Sequence, residues 1–271
     1  MNAIDATSRG NKRVAAFFDI DGTLLAPPSL EWQFFAGLRQ QRAIPLRNYF
    51  LWLAQAARLM ASGLAAMRHA NKMYLRGVSI HGSREEQYGQ APRQDSGQVE
   101  MAVPRFLTPA MDRIAWHAQR GHAIVLVSGT LAPLAMEVGL ALTMRLAVHE
   151  VAATVAVCAT QLEESGGRWT GRILGDAMFA GAKGRAVRRM ICENKFDAQD
   201  CYAYGDSLSD CSMLEAVGQP VVVNPSSSLA RIARKKKWPV LMWTEGKNST
   251  QSSRRTQSGR SKIEEIWEKV G

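Results

Sequence analysis

Four short apolar runs, Val14–Asp19, Ala123–Val127, Cys201–Tyr204 and Pro220–Val223, each stop at a small polar or glycine-bearing motif, with helical segments such as Ala182–Asn194 and Ser209–Val217 between them. Continuous apolar runs without alternation suit strands buried on both faces, and strands separated by helices pair in parallel. The pattern predicts an α/β fold on a doubly wound parallel sheet, whose ligands bind beyond the carboxyl ends of the strands. The motifs that close the runs are therefore the first candidates for function.

Between the first two runs lies a segment, Leu30 to Val103, too long for one crossover helix. Within Ile44–Leu75, the residues Leu46, Phe50, Leu53, Ala57 and Met60 recur at steps of three and four, which predicts an amphipathic helix in a small cap. His81–Glu100 is polar and reads as a loop before a helix starting near Pro104. The chain thus divides into a core at 1–29 and 104–245, a helical cap inserted after the first strand at 30–103, and a tail at 246–271. Val155–Glu163 and Arg168–Leu174, joined through Ser165-Gly166-Gly167, read as a β-hairpin.

Asp19 and Asp21 stand one residue apart at the end of the first strand, where repulsion and desolvation make two carboxylates costly. A bound cation resolves that conflict. Gly22 lets the backbone turn, so that a main-chain carbonyl can join the ligands. Asp206 and Asp210, in Gly205-Asp206-Ser207-Leu208-Ser209-Asp210, follow another strand and add oxygen donors. An all-oxygen set without histidine favours Mg2+ over zinc. Ser128-Gly129-Thr130 is expected to follow the second strand and open a helix, where a hydroxyl and amides can cradle a phosphoryl group. Lys183, in Gly181-Ala182-Lys183-Gly184, is expected at another helix start, where its ammonium can neutralise Asp19 and a bound phosphoryl group.

The net charge of +10 suggests an anionic partner until it is located. Residues 231–271 hold eleven Lys or Arg and four Glu, which accounts for +7 of it. Lys247–Ser261 lacks aromatic residues and apolar periodicity, so it reads as a solvated linker before a short helix near Lys262–Val270, and no nucleic-acid partner is expected. Trp32, Phe34, Phe35, Tyr49, Phe50 and Trp52 lie among Arg39, Arg42, Arg47 and Arg58. That mixture reads as a cap core with a solvated face, or as a weak contact with an anionic membrane through the aromatic cap or the basic tail. Cys158, Cys192, Cys201 and Cys211 lack metal-ligand spacing and read as reduced core thiols. His69, His81, His117, His122 and His149 are scattered and read as structural or surface residues. Neither a secretory signal nor a membrane span is apparent, so a cytoplasmic setting is expected.

In order and wording, these segments resemble the haloacid dehalogenase superfamily of phosphatases from Val14 to about Trp243. The cap position, Leu126-Val127-Ser128-Gly129, Gly181-Ala182-Lys183-Gly184 and Tyr204-Gly205-Asp206-Ser207 are similar to its phosphoserine-phosphatase-like branch. The resemblance implies a magnesium-dependent phosphomonoester hydrolase acting on a small metabolite or lipid head-group phosphate. It assigns the nucleophile to Asp19, the proton donor and acceptor to Asp21, and phosphoryl binding to Ser128, Gly129 and Lys183. Asp19, the Asp21 carbonyl and Asp206 would hold the metal, with Asp210 acting directly or through water. Phosphoserine phosphatases commonly carry Asp-Ser-Thr in the first motif and Asn before the last aspartate; this chain has Asp21-Gly22-Thr23 and Ser209, and Glu31 is displaced from the spacing of their cap glutamate. The substrate is thus left open, and a phosphotransferase or a membrane- or nucleic-acid-docking module on the same fold stands as the alternative.

Overall fold

The computed structural model describes residues 13–60, 69–78, 104–149 and 153–243. The expected N-terminal region up to residue 12, the loop His81–Glu100 with His81, and the basic tail from residue 246 lie outside the described residues.

The first strand, β1 (Ala15–Phe18), is wholly buried. It pairs in parallel with β2 (Ala123–Leu131) on one side and β6 (Tyr202–Gly205) on the other, setting Phe18 beside Leu126 and Tyr204. Adding β3 (Val155–Thr160), β7 (Gln219–Val223) and β8 (Val240–Leu241) gives a parallel sheet in the order β3-β2-β1-β6-β7-β8. Strand alternation sends Ala16, Phe18, Ile124, Leu126 and Val223 to one face. There α3 (Thr108–Gln119) and α4 (Ala132–Val148) cover them through Ile114, Val138, Leu142 and Leu146. Ala15, Phe17, Val125, Ala203 and Val222 take the opposite face, beneath α5 (Gly181–Asn194), α6 (Cys211–Leu214) and α7 (Ser227–Lys236). Burying both faces makes the runs continuous rather than alternating. The strand order reverses at β1, so the crevice beyond its carboxyl end is the natural ligand site.

Three local expectations are corrected. The run Val155–Glu163 is not one arm of a hairpin: β3 joins the main sheet along β2, and β4 (Leu162–Ser165) alone pairs with β5 (Arg168–Ile173). The open edge of β2 supplies backbone partners that a two-stranded ribbon lacks. The helix expected at Ser209–Val217 is a 3-10 turn, Leu208–Asp210, followed by the short α6, because Ser207 and Asp210 cap one another across that turn. Among the cysteines, all free, Cys201 is buried and Cys192 is exposed on α5.

In the inserted segment, α1 (Leu30–Gln40) starts at the Ser29 cap, and α2 (Leu46–Leu59) follows. With the 3-10 turn Met73–Leu75 and β4–β5, they form an apolar cluster that includes Leu38, Ile44, Tyr74, Leu75, Leu162 and Trp169. The apolar stripe of α2 does not form that core: Leu46, Phe50, Leu53, Ala57 and Met60 are exposed. The inward face is instead Asn48 and Ala56, with the Asn48 amide donating to the carbonyls of Tyr74 and Arg76. A buried side-chain amide is retained when backbone acceptors meet it, and here it sets which way the helix faces. Among the described residues no helix is long and apolar enough to cross a membrane.

Candidate active site

Asp19 follows β1 directly, and its backbone N–H donates to the Tyr204 carbonyl, holding the strand end against β6. The chain then turns at Gly22, whose φ is +88°. A side chain there would be strained, and its Cβ would lie 2.4 Å from Oδ2 of Asp206. Gly22 thus lets the first and last acidic motifs approach.

Lys183 lies in the first turn of α5 and is 2% exposed. Its Nζ donates to Oδ1 of Asp19 at 2.5 Å and to Oδ1 of Asp210 at 2.6 Å. Asp210 also accepts from the Ser207 backbone N–H and hydroxyl through Oδ2. Asp19, Asp206 and Asp210 each offer a carboxylate oxygen within 4.8 Å of the others. Asp21 stands outside that triad, where its Oδ1 accepts from the Leu30 N–H at the start of α1.

Burial, followed by the Asp210 charge, holds the Asp19 carboxyl well above its ordinary value despite Lys183. Burial and Asp210 push Asp206 up to about 7. Burial also raises Asp21, against the Leu30 N–H and Lys183. Burial would lower the Lys183 ammonium, but Asp19 and Asp210 outweigh it and hold it above its usual value. Three crowded, dehydrated carboxylates with one ammonium remain electrostatically short of positive charge, and their all-oxygen donor set fits a hard divalent cation.

Ser128 and Gly129 reach the same cleft, but from within the last residues of β2: α4 begins only at Ala132, so Ser128-Gly129-Thr130 does not open a helix. The Thr130 N–H donates to the Ser128 hydroxyl. Thr160, unnoticed in the sequence, positions this strand end. It is fully buried, donates to the Gly129 carbonyl at 2.9 Å and accepts from the Met178 N–H at 3.0 Å.

The cavity above these groups measures about 470 Å³ and includes Asp19, Asp21, Ser128, Gly129, Lys183 and Asp206 in its wall. The wall from the inserted segment is aromatic, with Trp32, Phe35, Tyr49, Trp52 and Tyr74. His69, expected to be structural or on the surface, lines the cavity and stacks on Phe179 at 4.6 Å between ring centroids. Glu31 lines it too, with its carboxylate gripped by Lys72 Nζ at 2.5 and 2.6 Å and by the Tyr74 hydroxyl at 2.9 Å. Glu31 was visible as an acid in the first turn of α1, but nothing local announces a partner 41 residues away. His117 is buried against Tyr204 and His122, in keeping with a structural role.

A family model described as haloacid dehalogenase-like hydrolase matches residues 16–215. A probable phosphatase of Mycobacterium tuberculosis is 28% identical over 240 residues, covering 86% of this chain and 76% of the relative. A phosphoserine phosphatase of the same organism is 27% identical over 235 residues, covering 83% and 70%. The crystal structure of a phosphoserine phosphatase in its apo form superposes with a TM-score of 0.55 at 16% identity, covering 86% of this chain and 95% of that one, so the fold is shared.

Proposed function

The chain belongs to the haloacid dehalogenase-like hydrolases, and on that premise we propose that it is a magnesium-dependent phosphomonoester hydrolase that works through an aspartyl-phosphate on Asp19. The observation that carries this reading is the buried Lys183 ammonium joining Asp19 to Asp210, beside Asp206 and below a cavity whose wall includes Asp21.

Asp19 attacks phosphorus as the bond to the alcohol oxygen breaks, and the departing oxygen takes the proton of Asp21. The raised value of Asp21 keeps that proton available. Asp21 then receives a proton from the water that attacks the aspartyl-phosphate, which releases phosphate and restores both carboxyl groups. Lys183, the Ser128 hydroxyl and the Gly129 backbone face the phosphoryl oxygens. Magnesium held by Asp19, Asp206 and the Asp21 carbonyl, with Asp210 directly or through water, would offset the negative charge gathering on those oxygens.

Within this reading, 1–29 and 104–245 form the core, 30–103 the cap and 246–271 a basic tail. The apolar cluster in which α1, α2 and the turn Met73–Leu75 pack against β4–β5, Leu131 and Leu134 of the core supports a cap seated on that core. Four free thiols suit a cytoplasmic setting. The exposed Leu46, Phe50, Leu53 and Met60 beside exposed Arg47 and Arg58 support, as an added reading, weak contact with anionic membrane. Failure to pellet with anionic vesicles at low salt would remove that addition. The main test is phosphate release from p-nitrophenyl phosphate, expected to require magnesium and to vanish in Asp19→Asn; undiminished turnover by that variant would refute the nucleophile.

A further inference from the structure

The cavity is much larger than a phosphoryl group requires, so its outer wall must meet the alcohol half of the ester. That wall is lined by the side chains of Trp32, Phe35, Tyr49, Trp52 and Tyr74, whose π faces carry negative potential. That wall carries the Glu31 carboxylate, and the counter-ion Lys72 is 2% exposed and forms no part of the described lining. The ion pair therefore presents its carboxylate end to the cavity. Among the described lining residues, Lys183 is the one lysine or arginine, and its ammonium is held by Asp19 and Asp210. The Asn71 amide, also in the wall, donates to the Trp52 carbonyl. A carboxylate on the alcohol half would have to shed water opposite Glu31 and aromatic rings, with no guanidinium, and no ammonium besides that of Lys183, among the described lining residues to receive it. An organic cation would meet a complementary surface.

Resting on the phosphatase reading, we propose that the substrate is the phosphate ester of a cationic alcohol that lacks a carboxylate, an amino alcohol or a quaternary ammonium alcohol. The ammonium stacks against the aromatic wall near Glu31 while the phosphate sits at Asp19 and Lys183. O-phosphoserine places a carboxylate on the same carbon as the ammonium and is disfavoured for that reason.

The test compares kcat/KM of the full chain with magnesium on phosphoethanolamine, O-phosphoserine, glycerol phosphate and phosphoglycolate, with p-nitrophenyl phosphate as a control. Phosphoethanolamine is expected to exceed O-phosphoserine and phosphoglycolate by at least about tenfold, with glycerol phosphate between. Trp52→Ala is expected to lower the preference for phosphocholine over glycerol phosphate by about fivefold. O-phosphoserine or phosphoglycolate equal to or better than phosphoethanolamine, alongside turnover of the control, overturns this inference and leaves the phosphatase reading intact. Absence of turnover on every ester, the control included, removes the phosphatase reading and this inference with it.

Discussion

The Lys183 ammonium lies 2.5 Å from Oδ1 of Asp19, and both side chains are buried. The same nitrogen reaches Asp210 at 2.6 Å, so one charge serves two carboxylates contributed by different strand ends. Removing one partner from a buried ion pair costs far more than the pair contributes against an apolar replacement, because the other charge is stranded. Lys183→Met is therefore expected to destabilise the metal-free protein by about 3–5 kcal/mol at neutral pH and to abolish turnover. Denaturant unfolding checks the first claim; an unchanged midpoint would show that the bridge contributes nothing.

Asp206 is expected to decide whether the acidic triad holds an ion. Magnesium should raise the melting temperature of the wild-type chain in a concentration-dependent way, since a ligand that binds only the folded state stabilises it. Asp206→Asn should lose that response while keeping its fold by circular dichroism. A full magnesium shift in the variant would place the ion elsewhere.

Asp21 is expected to matter most where the leaving oxygen is basic. Asp21→Asn should slow hydrolysis of an alkyl phosphate by about 10²–10⁴-fold. The first step on p-nitrophenyl phosphate, whose leaving group needs little protonation, should be slowed much less and should yield a burst of p-nitrophenol as the phosphoenzyme accumulates. Equal slowing of the first step for both esters would argue against the proton-donor role.

At Gly22, two effects reinforce each other: the positive φ and the approach of Asp206. Gly22→Ala should cost about 1–2 kcal/mol in stability from the backbone alone. It should lower activity further by displacing Asp206, with weaker magnesium dependence as the readout. Normal magnesium dependence in a folded variant would show that the loop can yield.

His117 is expected to give the fold an acid-sensitive margin. Burial, followed by the Arg113 charge, lowers its value from 6.5 to about 2. The unfolded chain binds this proton more readily, so its contribution is fully present above pH 6.5 and is lost progressively as pH falls below that. At pH 5 the loss should reach about 2 kcal/mol. A variant such as His117→Gln should show a shallower decline in stability between pH 6.5 and 5, and an identical slope would sink the assignment.

The strand-ending motifs were legible because β1, β2, β6 and β7 are buried on both faces, and a buried parallel strand has little choice of sequence. Asp19, Asp206 and Asp210 could be anticipated because their cost at strand ends demands a compensating charge. Thr160 and His69 could not, since a lone threonine or histidine carries no period or spacing that singles it out.

The sequence by itself determined the α/β order of elements, the strand ends that bear carboxylates, and the helix that starts near Lys183. Only the tertiary structure decided that Glu31 meets Lys72 and Tyr74, that Ser128 and Gly129 belong to the end of β2, and that the apolar stripe of α2 looks outward. The physical reason is the range of the interactions. Periodicity records which residues share a face, but which face is covered depends on contacts such as those of Asn48 with the carbonyls of Tyr74 and Arg76, which no local pattern encodes.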